Sequence, residues 1–599
     1  MNRTLALTTL TVSIATIMGC STNKTAQSAD TPFNAIDAFG IQCQTAPEPE
    51  QTEMSISGLT LVGTSVADAP FDTSAAEIVS YDTCTDKLYV VNSQGKTIDV
   101  LSLDDAGKPQ AAGQIDLTSA EGKAGISIGA ANSVSAHQGL VAVAIENANK
   151  QENGVIALYR SDTLELLATF AAGALPDMVS FSKNGRYIAS ANEGEPSSDY
   201  SVDPEGSVTL VDLYQGPMNA SVTQIDFKAF NQGQPRHSEL DENVRISHPK
   251  ATVAQDLEPE YLTFGDNGKI YVALQENNAL AAIDVASASV DAIYGLGGKS
   301  WETSKLDASN KDKMVGNMQS YPMLEGLYMP DSIASYSVDG ETYILTANEG
   351  DGREYGFDAT QKQCDELGYK WDGDDDQSAS EYQTNEDFCI AYVDEVRGKK
   401  LKVDANHPLA EALKDNKQLA RLKVIKPAGT LAADENVQAF GSRSFSIWSE
   451  SGERVYDSGD EFASIVLMKE KDNFNSTNDN NDSADDRSDD KGVEPEAIEV
   501  AEINGRHYAF IGLERHGGIM VYDVSVPSQA LFITYVNNRN FDEPVCTQVD
   551  DGDCDNDTYN PKAGDLGPES IKYFTRQGQH FIAVGNEVSG TTSVFRIEL

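Results

Sequence analysis

The chain has 599 residues, and 40% of them are hydrophobic, which is enough for a large buried core. Its formal net charge is −50, from 94 acidic against 44 basic residues, so its surface repels nucleic acid and anionic membranes and favours divalent cations. Length alone predicts several domains, whereas the internal repeat described below favours one large ring with long insertions. The sequence lacks a P-loop, an H-E-x-x-H zinc motif and a dinucleotide fingerprint, and its histidines are few and scattered.

The first twenty residues are typical of an export signal. Arg3 is followed by an apolar or neutral stretch from Leu5 to Met18, which is too short to cross a membrane as a mature helix. Residues 17–20 (IMGC) resemble the cleavage box of a bacterial lipoprotein, which implies that Cys20 becomes the acylated first residue. Ser21 does not resemble an inner-membrane retention signal, so the outer membrane is favoured. The alternative is an ordinary secretory signal with a chance cysteine.

Six cysteines remain once Cys20 is set aside, which is an even number in an exported protein. Their positions predict three disulfides, namely Cys43–Cys84, Cys364–Cys389 and Cys546–Cys554. Metal binding by thiolates is not favoured, because no two of these cysteines have the usual spacing of a zinc site.

A short module recurs along the chain. Each clear copy opens with a proline followed directly by an acid, at Pro176-Asp177, Pro259-Glu260, Pro330-Asp331, Pro495-Glu496 and Pro568-Glu569. A glycine and an aromatic residue follow, and an apolar run then ends in a glutamate, at Glu193, Glu276, Glu349, Glu514 and Glu587. Weaker copies begin near residues 76, 131 and 443. Self-similarity of this kind indicates a repeat architecture.

The copy near residue 495 has the pattern of a hairpin. Residues 496–501 suit a first strand, Asn504-Gly505 a tight turn, and residues 507–513 a second strand, with two further strands to follow. Four short antiparallel strands in each repeat predict an all-β fold of the β-propeller type. The repeats favour eight blades, with seven as the alternative if one weak copy is only an insertion. The spare strand from Leu59 to Val66 is predicted to complete the last blade and close the ring.

This organisation assigns residues 1–20 to a lipoprotein signal peptide, 21–50 to a polar tether and 51–599 to a single propeller. Three acidic insertions with few apolar residues interrupt the propeller, at 364–389, 471–491 and 546–557. We expect surface loops that are partly mobile, with carboxylates that could hold calcium, although none matches the helix-loop-helix calcium motif. Residues 407–422 are predicted to form an amphipathic helix on the outside of the ring.

Hairpin geometry brings the acids of each module together, because the start of a first strand and the end of a second lie at one end of a hairpin. If the first strands line the channel, ten carboxylates meet at one mouth, where their repulsion requires cations, and calcium prefers such oxygen ligands. The candidate metal ligands are Asp177, Glu193, Glu260, Asp331, Glu349, Asp351, Glu496, Glu514, Glu569 and Glu587. The alternative is that these acids only accept backbone hydrogen bonds and brace the blades.

Basic residues follow two of these acids. Arg353 comes shortly after Glu349, and Arg515 and His516 come directly after Glu514. Arginine beside a metal ion suits a phosphate ester or a sulfate as ligand. Arg353, Arg515 and His516 are therefore the catalytic candidates if the protein is a metal-dependent phosphoric ester hydrolase. For His516 taken alone, a surface position is favoured.

Three stretches are distinctive: LPDM at 175–178 with ANEGEP at 191–196, ANEGDGREY at 347–355, and GPES at 567–570 with GNEVSGTT at 585–592. By these residues the mature chain resembles the choice-of-anchor I family of bacterial surface proteins, which is similar to the mesenchyme-specific cell surface glycoproteins of animals. The resemblance implies a propeller attached to the cell envelope, here by lipid. Some members of that family are labelled alkaline phosphatase.

The leading prediction is an envelope-anchored lipoprotein whose propeller binds calcium and a ligand or partner at an acidic channel mouth. One alternative is a metal-dependent phosphatase or phosphodiesterase, and another is a structural protein of surface adhesion. The expected partners are the membrane, through the lipid anchor, and a small molecule, phosphoester or protein whose identity the sequence does not give. Nucleic acid is not an expected partner.

Overall fold

A computed structural model describes residues 33–44, 47–373, 378–550, 553–554 and 556–599. The predicted signal peptide, the predicted acylation site at Cys20 and the first part of the predicted tether lie outside the described residues. Within the described ranges, no helix combines the length and the apolar character needed to span a lipid bilayer.

The described residues form seven four-stranded antiparallel sheets, the blades of a β-propeller. Blade 1 comprises Ala75–Asp82, Lys87–Asn92, Thr97–Leu103 and Pro109–Asp116. Blade 2 comprises Ile128–His137, Leu140–Asn147, Asn153–Arg160 and Leu166–Ala174. Blade 3 comprises Pro176–Phe181, Tyr187–Asn192, Ser207–Asp212 and Ser221–Asp226. Blade 4 comprises Leu262–Phe264, Lys269–Leu274, Ala279–Asp284 and Ser289–Gly295. Blade 5 comprises Ile333–Val338, Glu341–Asn348, Ser444–Ser449 and Arg454–Asp457. Blade 6 comprises Pro495–Ile503, Arg506–Leu513, Ile519–Asp523 and Leu531–Val536. Blade 7 comprises Pro568–Arg576, Gln579–Asn586, Thr591–Glu598 and Gly58–Val66.

The blades close into a ring around a central channel. The first strand of each blade packs against the first strand of the next, and blade 7 packs against blade 1 in the same way. Residues from all seven first strands line one channel cavity of about 160 Å³. Blade 7 is completed by Gly58–Val66, which pairs antiparallel with Thr591–Glu598. The predicted closing strand and the all-β propeller fold are therefore confirmed.

Seven blades is the lower of the two predicted counts. The weak copy near residue 443 is not a separate blade, because Ser444–Ser449 pairs with Glu341–Asn348 and then with Arg454–Asp457 to complete blade 5. A long insertion separates the second strand of this blade from its third. The two halves of one blade therefore resemble two repeats in the sequence.

Each junction between neighbouring blades has its own hydrophobic core. Between blades 1 and 2, for example, Tyr89 and Val91 pack with Val141 and Val143. Both faces of a blade are covered in this way, which explains why a second strand such as Leu140–Asn147 is buried along its whole length. The apolar runs in the sequence are thus the consequence of two-sided burial.

Hydroxyl groups near the channel add hydrogen bonds between neighbouring blades. Ser80 Oγ accepts a hydrogen bond from the backbone N–H of Ala136 at 2.9 Å. Ser570 Oγ accepts one from the backbone N–H of Val79 at 3.0 Å, across the junction that closes the ring. Because these bonds join successive first strands, they fix each blade relative to the next and so position the side chains at the channel mouth.

The insertions form smaller sheets. A five-stranded sheet contains Gly298–Ser300, Leu324–Leu327, Val437–Ala439, Lys423–Ile425 and Glu395–Arg397, and a three-stranded sheet contains Glu354–Thr360, Glu386–Val393 and Lys370–Trp371. Val549–Asp550 pairs with Asp553–Cys554. The α-helices are Ala35–Phe39, Thr118–Ala124, Val253–Asp256, Gln361–Leu367 and Glu461–Lys469. Short 3₁₀ turns occur at Pro217–Asn219, Lys228–Phe230, His237–Glu239, Glu381–Gln383, Gly398–Lys400, Ala412–Lys414 and Lys471–Asn473.

Two local predictions are wrong. Residues 407–422 form turns with the single 3₁₀ turn Ala412–Lys414 instead of an amphipathic helix. Their leucines are nevertheless buried, and Asp415 redirects the backbone because its carboxylate accepts the N–H of Lys417 at 2.9 Å. The insertion 471–491 is not a mobile surface loop, since Asn475 and Ser488 within it are almost completely buried.

Three disulfides join the predicted cysteine pairs. Cys43–Cys84 ties the segment 33–44 to blade 1, and within that segment Ala35 and Ile41 pack into the core between blades 2 and 3. The latter part of the predicted tether is therefore fastened to the ring. Cys364–Cys389, in contrast, joins the helix Gln361–Leu367 to the strand Glu386–Val393 within an insertion.

Replacing Cys43 and Cys84 together with alanine should lower the free energy of unfolding of the propeller by about 2–4 kcal/mol, because the crosslink restricts the unfolded chain. Removing Cys364 and Cys389 is the matched control and should leave the main unfolding transition nearly unchanged. Denaturant titration followed by circular dichroism measures both. An equal loss of stability in the two variants would contradict the assignment of Cys43–Cys84 to the ring.

Candidate functional site

The first strands of the blades present a ring of polar side chains at one end of the channel. The ring contains Glu77, Asn132, Asp177, Glu260, Asp331, Glu496 and Glu569, one from each blade in order. All of them line a cavity of about 270 Å³, which we term the channel mouth. Six carboxyl groups from six blades therefore share one cavity.

A local break in the strand pairing directs these acids into the channel. In blade 6 the register with the second strand shifts between Pro495 and Ile498, and in blade 3 it shifts between Pro176 and Val179. A bulge of this kind re-aims a side chain. Proline cannot donate a backbone hydrogen bond, so it suits a position where pairing is interrupted. The acid after each proline thus leaves the core between the blades and faces the channel.

The ends of the second strands add further acids to the channel mouth. Glu349, Glu514 and Glu587 line the cavity together with Asp351. Nine of the ten predicted ligands therefore meet here, namely Asp177, Glu260, Asp331, Glu349, Asp351, Glu496, Glu514, Glu569 and Glu587. The tenth, Glu193, lies beside the cavity, where repulsion from Asp177 adds to the effect of burial in raising its pKa.

Sequence reasoning missed two acids of this site. Glu77 stands at the position of the proline–acid pair in blade 1, but Ala76 precedes it instead of proline. Glu494 directly precedes Pro495, and its carboxylate lies with those of Glu349 and Glu514. The alignment of Ala76-Glu77 with the other repeats could have revealed Glu77, whereas nothing in the repeat pattern indicates Glu494.

Burial raises the pKa of the carboxyl groups in the channel mouth, and repulsion between them adds to the effect. The pKa rises to about 7 for Asp177, Glu349 and Glu514 and to about 8 for Glu77. The pKa values of Glu260, Asp331, Glu496 and Glu569 are raised well above the ordinary range by burial and neighbouring acids. The free site therefore retains protons near neutral pH.

Three carboxylate oxygens in the channel mouth have no hydrogen-bond donor among the described groups, namely Oε2 of Glu260, Glu496 and Glu514. The oxygen of Glu514 is ion-paired with Arg515 Nε at 3.1 Å, whereas Glu496 is only 7% exposed and has no such partner in the described part of the chain. Buried polar atoms in native proteins normally have a partner. The Oε2 atoms of Glu260 and Glu496 are thus the ones available to coordinate a ligand that enters the cavity.

Two groups of carboxylates are close enough to share a cation. In the first, single oxygens of Asp331, Glu349 and Glu496 lie within 4.8 Å of one another, and in the second those of Glu349, Glu494 and Glu514 do so. Calcium binds oxygen ligands at about 2.3–2.6 Å, so oxygens separated by up to about twice that distance can contact the same ion. Gln275 supports the shared residue, since its Nε2 donates to Glu349 Oε2 at 2.7 Å.

The protein's own cations contact all three acids of the second group but, in the first group, only the shared residue Glu349. Lys491 Nζ lies 2.5 Å from Glu349 and 3.3 Å from Glu494. Arg515 Nε lies 3.2 Å from Glu494 and 3.1 Å from Glu514, and Arg487 Nε donates to Glu494 at 2.8 Å. Three positive charges thus offset the three acids of the second group. In the first group, Asp331 and Glu496 form no ion pair within the described part of the chain.

Two of the three catalytic candidates lie away from the channel mouth. Arg353 is 2% exposed, and its guanidinium is held by Asp256 at 3.2 Å and Glu258 at 3.0 Å. His516 is buried rather than exposed, and its Nε2 lies 2.7 Å from Glu470. Only Arg515 lines the cavity. The expectation that Arg353 and His516 could face a substrate beside the acids is therefore wrong.

The family of this protein follows from comparison with known proteins. The profile of the choice-of-anchor I domain matches residues 77–527, and the chain belongs to this family. The family assignment and the propeller fold agree with the resemblance found in the sequence.

Two curated relatives are similar over part of their length. The chain is 27% identical to a mesenchyme-specific cell surface glycoprotein of Strongylocentrotus purpuratus over 51% of this chain and 41% of that protein. It is 28% identical to Gigasin-3a of Magallana gigas over 30% of this chain and 64% of that protein. The chain thus spans less than two thirds of either relative.

Among solved structures, hydrazine synthase of Kuenenia stuttgartiensis aligns with 88% of this chain and 97% of its own, at a TM-score of 0.41 and 9% identity.

Replacing Glu77 with glutamine should stabilise the metal-free protein progressively as pH rises. Below about pH 4 both the folded and the unfolded wild-type chain hold the proton on Glu77, so the variant and the wild type should differ little. Between about pH 5 and 8 the unfolded chain loses this proton while the folded chain keeps it, because its pKa in the folded state is about 8. The advantage of the variant should therefore grow by about 1 kcal/mol per pH unit.

Denaturant unfolding in the presence of a chelator, repeated across this pH range, measures the difference. Glutamine keeps an acceptor for the hydroxyl of Ser93, which lies 2.6 Å from Glu77 Oε2. Glu165→Gln, at an exposed position next to blade 2, is the matched control for loss of one charge. A difference between Glu77→Gln and wild type that stays constant or shrinks toward pH 8 would contradict the predicted burial of this charge.

Proposed function

We propose that this protein is a cell-surface propeller whose channel mouth binds a divalent cation. The observation that supports the proposal most directly is the carboxylate group Asp331, Glu349 and Glu496, which is buried or half-buried and includes the unpartnered oxygen of Glu496. A divalent cation would satisfy that oxygen and offset the repulsion between the acids.

Calcium is the cation that best suits this donor set. Ten carboxylates and two amide side chains dominate the polar lining of the cavity, which also includes Arg515 and contains neither histidine nor cysteine among the described residues. Hard oxygen ligands select calcium, magnesium or manganese over softer transition metals. Calcium accepts six to eight oxygens in flexible geometry, whereas magnesium requires a compact octahedron and retains several waters. A cavity with carboxylates from several blades therefore suits calcium better than magnesium.

The cell envelope is the proposed location. The family consists of surface proteins with varied anchors, and the predicted lipoprotein box at residues 17–20 supplies a lipid as the anchor for this member. The outer membrane is the proposed destination because Ser21 does not resemble a retention signal. In this position the channel mouth could present its cation to an anionic group of a small molecule or of a protein partner.

The structure gives little support to the alternative of a phosphoric ester hydrolase. That reading requires several basic groups beside the metal to hold the ester, and Arg353 and His516 are occupied elsewhere. Arg515 remains near the acids but is paired with Glu494 and Glu514. We therefore propose binding rather than hydrolysis.

Isothermal titration with calcium tests the proposed site. Glu496→Gln should weaken calcium binding by about tenfold or more, because it removes a charged ligand with a free oxygen. Glu502→Gln is the matched control, since Glu502 lies in the same strand but is exposed to solvent, and its calcium affinity should equal that of the wild type. Equal affinities for Glu496→Gln and Glu502→Gln would refute the proposal.

Cys20→Ser tests the proposed anchor. The wild-type protein should sediment with membranes and incorporate labelled fatty acid when produced in a bacterium with a lipoprotein pathway. The variant should lose the label and appear in the soluble envelope fraction. A wild-type chain that carries no fatty acid would show that residues 1–20 act as an ordinary secretory signal.

A further inference from the structure

The connections between strands lie on two opposite faces of the ring. In each blade the first strand begins at the channel mouth and the second returns to it, so the mouth side carries the connections from second to third strands and from each blade to the next. The opposite side carries the connections from first to second and from third to fourth strands. We term this side the turn face, and its connections are 83–86, 104–108, 138–139, 161–165, 182–186, 213–220, 265–268, 285–288, 339–340, 450–453, 504–505, 524–530 and 577–578.

The two faces differ in the length of their connections. The longest connection on the turn face runs from residue 213 to residue 220. The long insertions leave the ring on the mouth side, at 193–206, 227–261, 296–332, 349–443, 458–494 and 537–567. Folded insertions therefore surround the mouth, whereas the turn face consists of short turns and of one further segment that crosses them.

That segment is the N-terminal part of the described chain. Phe33 packs so close to Gly216, on the turn face of blade 3, that a Cβ atom on this glycine would lie 3.1 Å from the Phe33 ring. Ile41 covers Gly139 in the first turn of blade 2 in the same way. The disulfide Cys43–Cys84 then joins the segment to the first turn of blade 1. The chain thus enters the ring along the turn face.

The segment continues across blades 7 and 6. In the first turn of blade 7, the N–H of Gly578 donates to the carbonyl of Pro47 at 3.0 Å. In the first turn of blade 6, Asn504 Nδ2 donates to the carbonyl of Met54 at 2.8 Å. The segment therefore contacts blades 3, 2, 1, 7 and 6 in that order, all on the turn face, before the strand Gly58–Val66 completes the ring.

The position of Phe33 limits how the ring can be placed relative to an anchor at Cys20. Thirteen residue steps separate the two positions, and they span at most about 45 Å even when fully extended. The nine-residue strand Gly58–Val66 runs from the turn face toward the mouth, which corresponds to a height of about 30 Å. With the mouth against a bilayer, the link would have to pass along the whole height of the ring and its insertions. With the turn face against the bilayer, the link is long enough without extension.

The anchor, and not adhesion of the turn face, determines this placement. Glu48, Glu50 and Glu53 are exposed on the turn face, so this face does not attract an anionic lipid surface by charge. Inversion of the ring would bring the larger group of carboxylates at the mouth to the same surface. The position of the link and the distribution of charge therefore favour the same orientation.

We propose that the propeller stands on the membrane with its turn face toward the lipid and its channel mouth away from it. This inference rests on the proposed lipid anchor at Cys20 and adds a direction that the anchor alone does not give. The mouth then takes its cation, and any anionic small molecule or protein partner, from the aqueous side opposite the membrane. Headgroups of the same bilayer are not its ligands.

Fluorescence quenching on vesicles tests this orientation. The full-length mature lipidated protein is reconstituted with lipids that carry a nitroxide on the headgroup, and a dye is attached to one added cysteine. Met218→Cys places the dye on the turn face and Met468→Cys places it on the mouth side, at similar exposures of 76% and 73%. Quenching should be several-fold stronger at residue 218. Equal quenching, or stronger quenching at residue 468, overturns the proposal.

A second pair of variants repeats the comparison elsewhere on the ring and replaces the first pair if either member fails to fold. Met54→Cys lies on the turn face and Met314→Cys lies on the mouth side, and both positions are 53% exposed. Quenching should again be several-fold stronger on the turn face. A second pair with equal or reversed quenching overturns the proposal, whatever the first pair shows.

Fatty-acid labelling of the same preparations separates this proposal from the proposed anchor. A chain without fatty acid refutes the anchor and with it the orientation. A chain that carries fatty acid and binds vesicles, but is quenched equally at residues 218 and 468, retains the anchor and refutes only the orientation. Calcium binding by the mouth depends on neither result.

Discussion

Repulsion between buried carboxyl groups at the channel mouth is the interaction on which the rest of the structure depends. The ring geometry creates it, because seven first strands begin at the same end of the channel and six of them begin with an acid. Burial of like charges is unfavourable unless protons, basic side chains or metal ions offset them. The protein uses two of these means in the structure described, through raised pKa values in one part of the mouth and the cations Lys491, Arg487 and Arg515 in another. The third, a metal ion, is the proposed function.

The sequence was sufficient to predict the fold and most of the channel mouth. The proline–acid pairs and the glutamates have a fixed place in each hairpin, and hairpin geometry is local, so their convergence could be derived without knowledge of distant contacts. The closing strand at Gly58–Val66 was also predictable, because a propeller without it would expose a strand edge. Repetition supplied this information, since an error in one copy does not alter the pattern of the others.

The features that the sequence did not reveal depend on contacts between distant segments. The repeat pattern in the sequence predicted two blades where the structure has blade 5 alone, because an insertion separates the second strand of this blade from its third. Sequence spacing cannot distinguish such an insertion from a boundary between repeats. Arg353 follows Glu349 closely in the sequence, yet it is held by Asp256 and Glu258, which lie between blades 3 and 4. The acidic composition of residues 471–491 indicated a solvated loop. In the structure, Arg443 and Arg539 hold this stretch by donating hydrogen bonds to its backbone carbonyls, which amino-acid composition cannot reveal. Lys491 is the last residue of this stretch, so the same contacts bring its side chain to the channel mouth.

Anomalous diffraction from crystals grown in calcium, or soaked in terbium as its substitute, tests the central claim most directly. We expect a peak within coordination distance of carboxylate oxygens of Asp331, Glu349 and Glu496. A channel mouth without a peak at saturating calcium, with ions bound only to the outer surface of the insertions, would contradict the account.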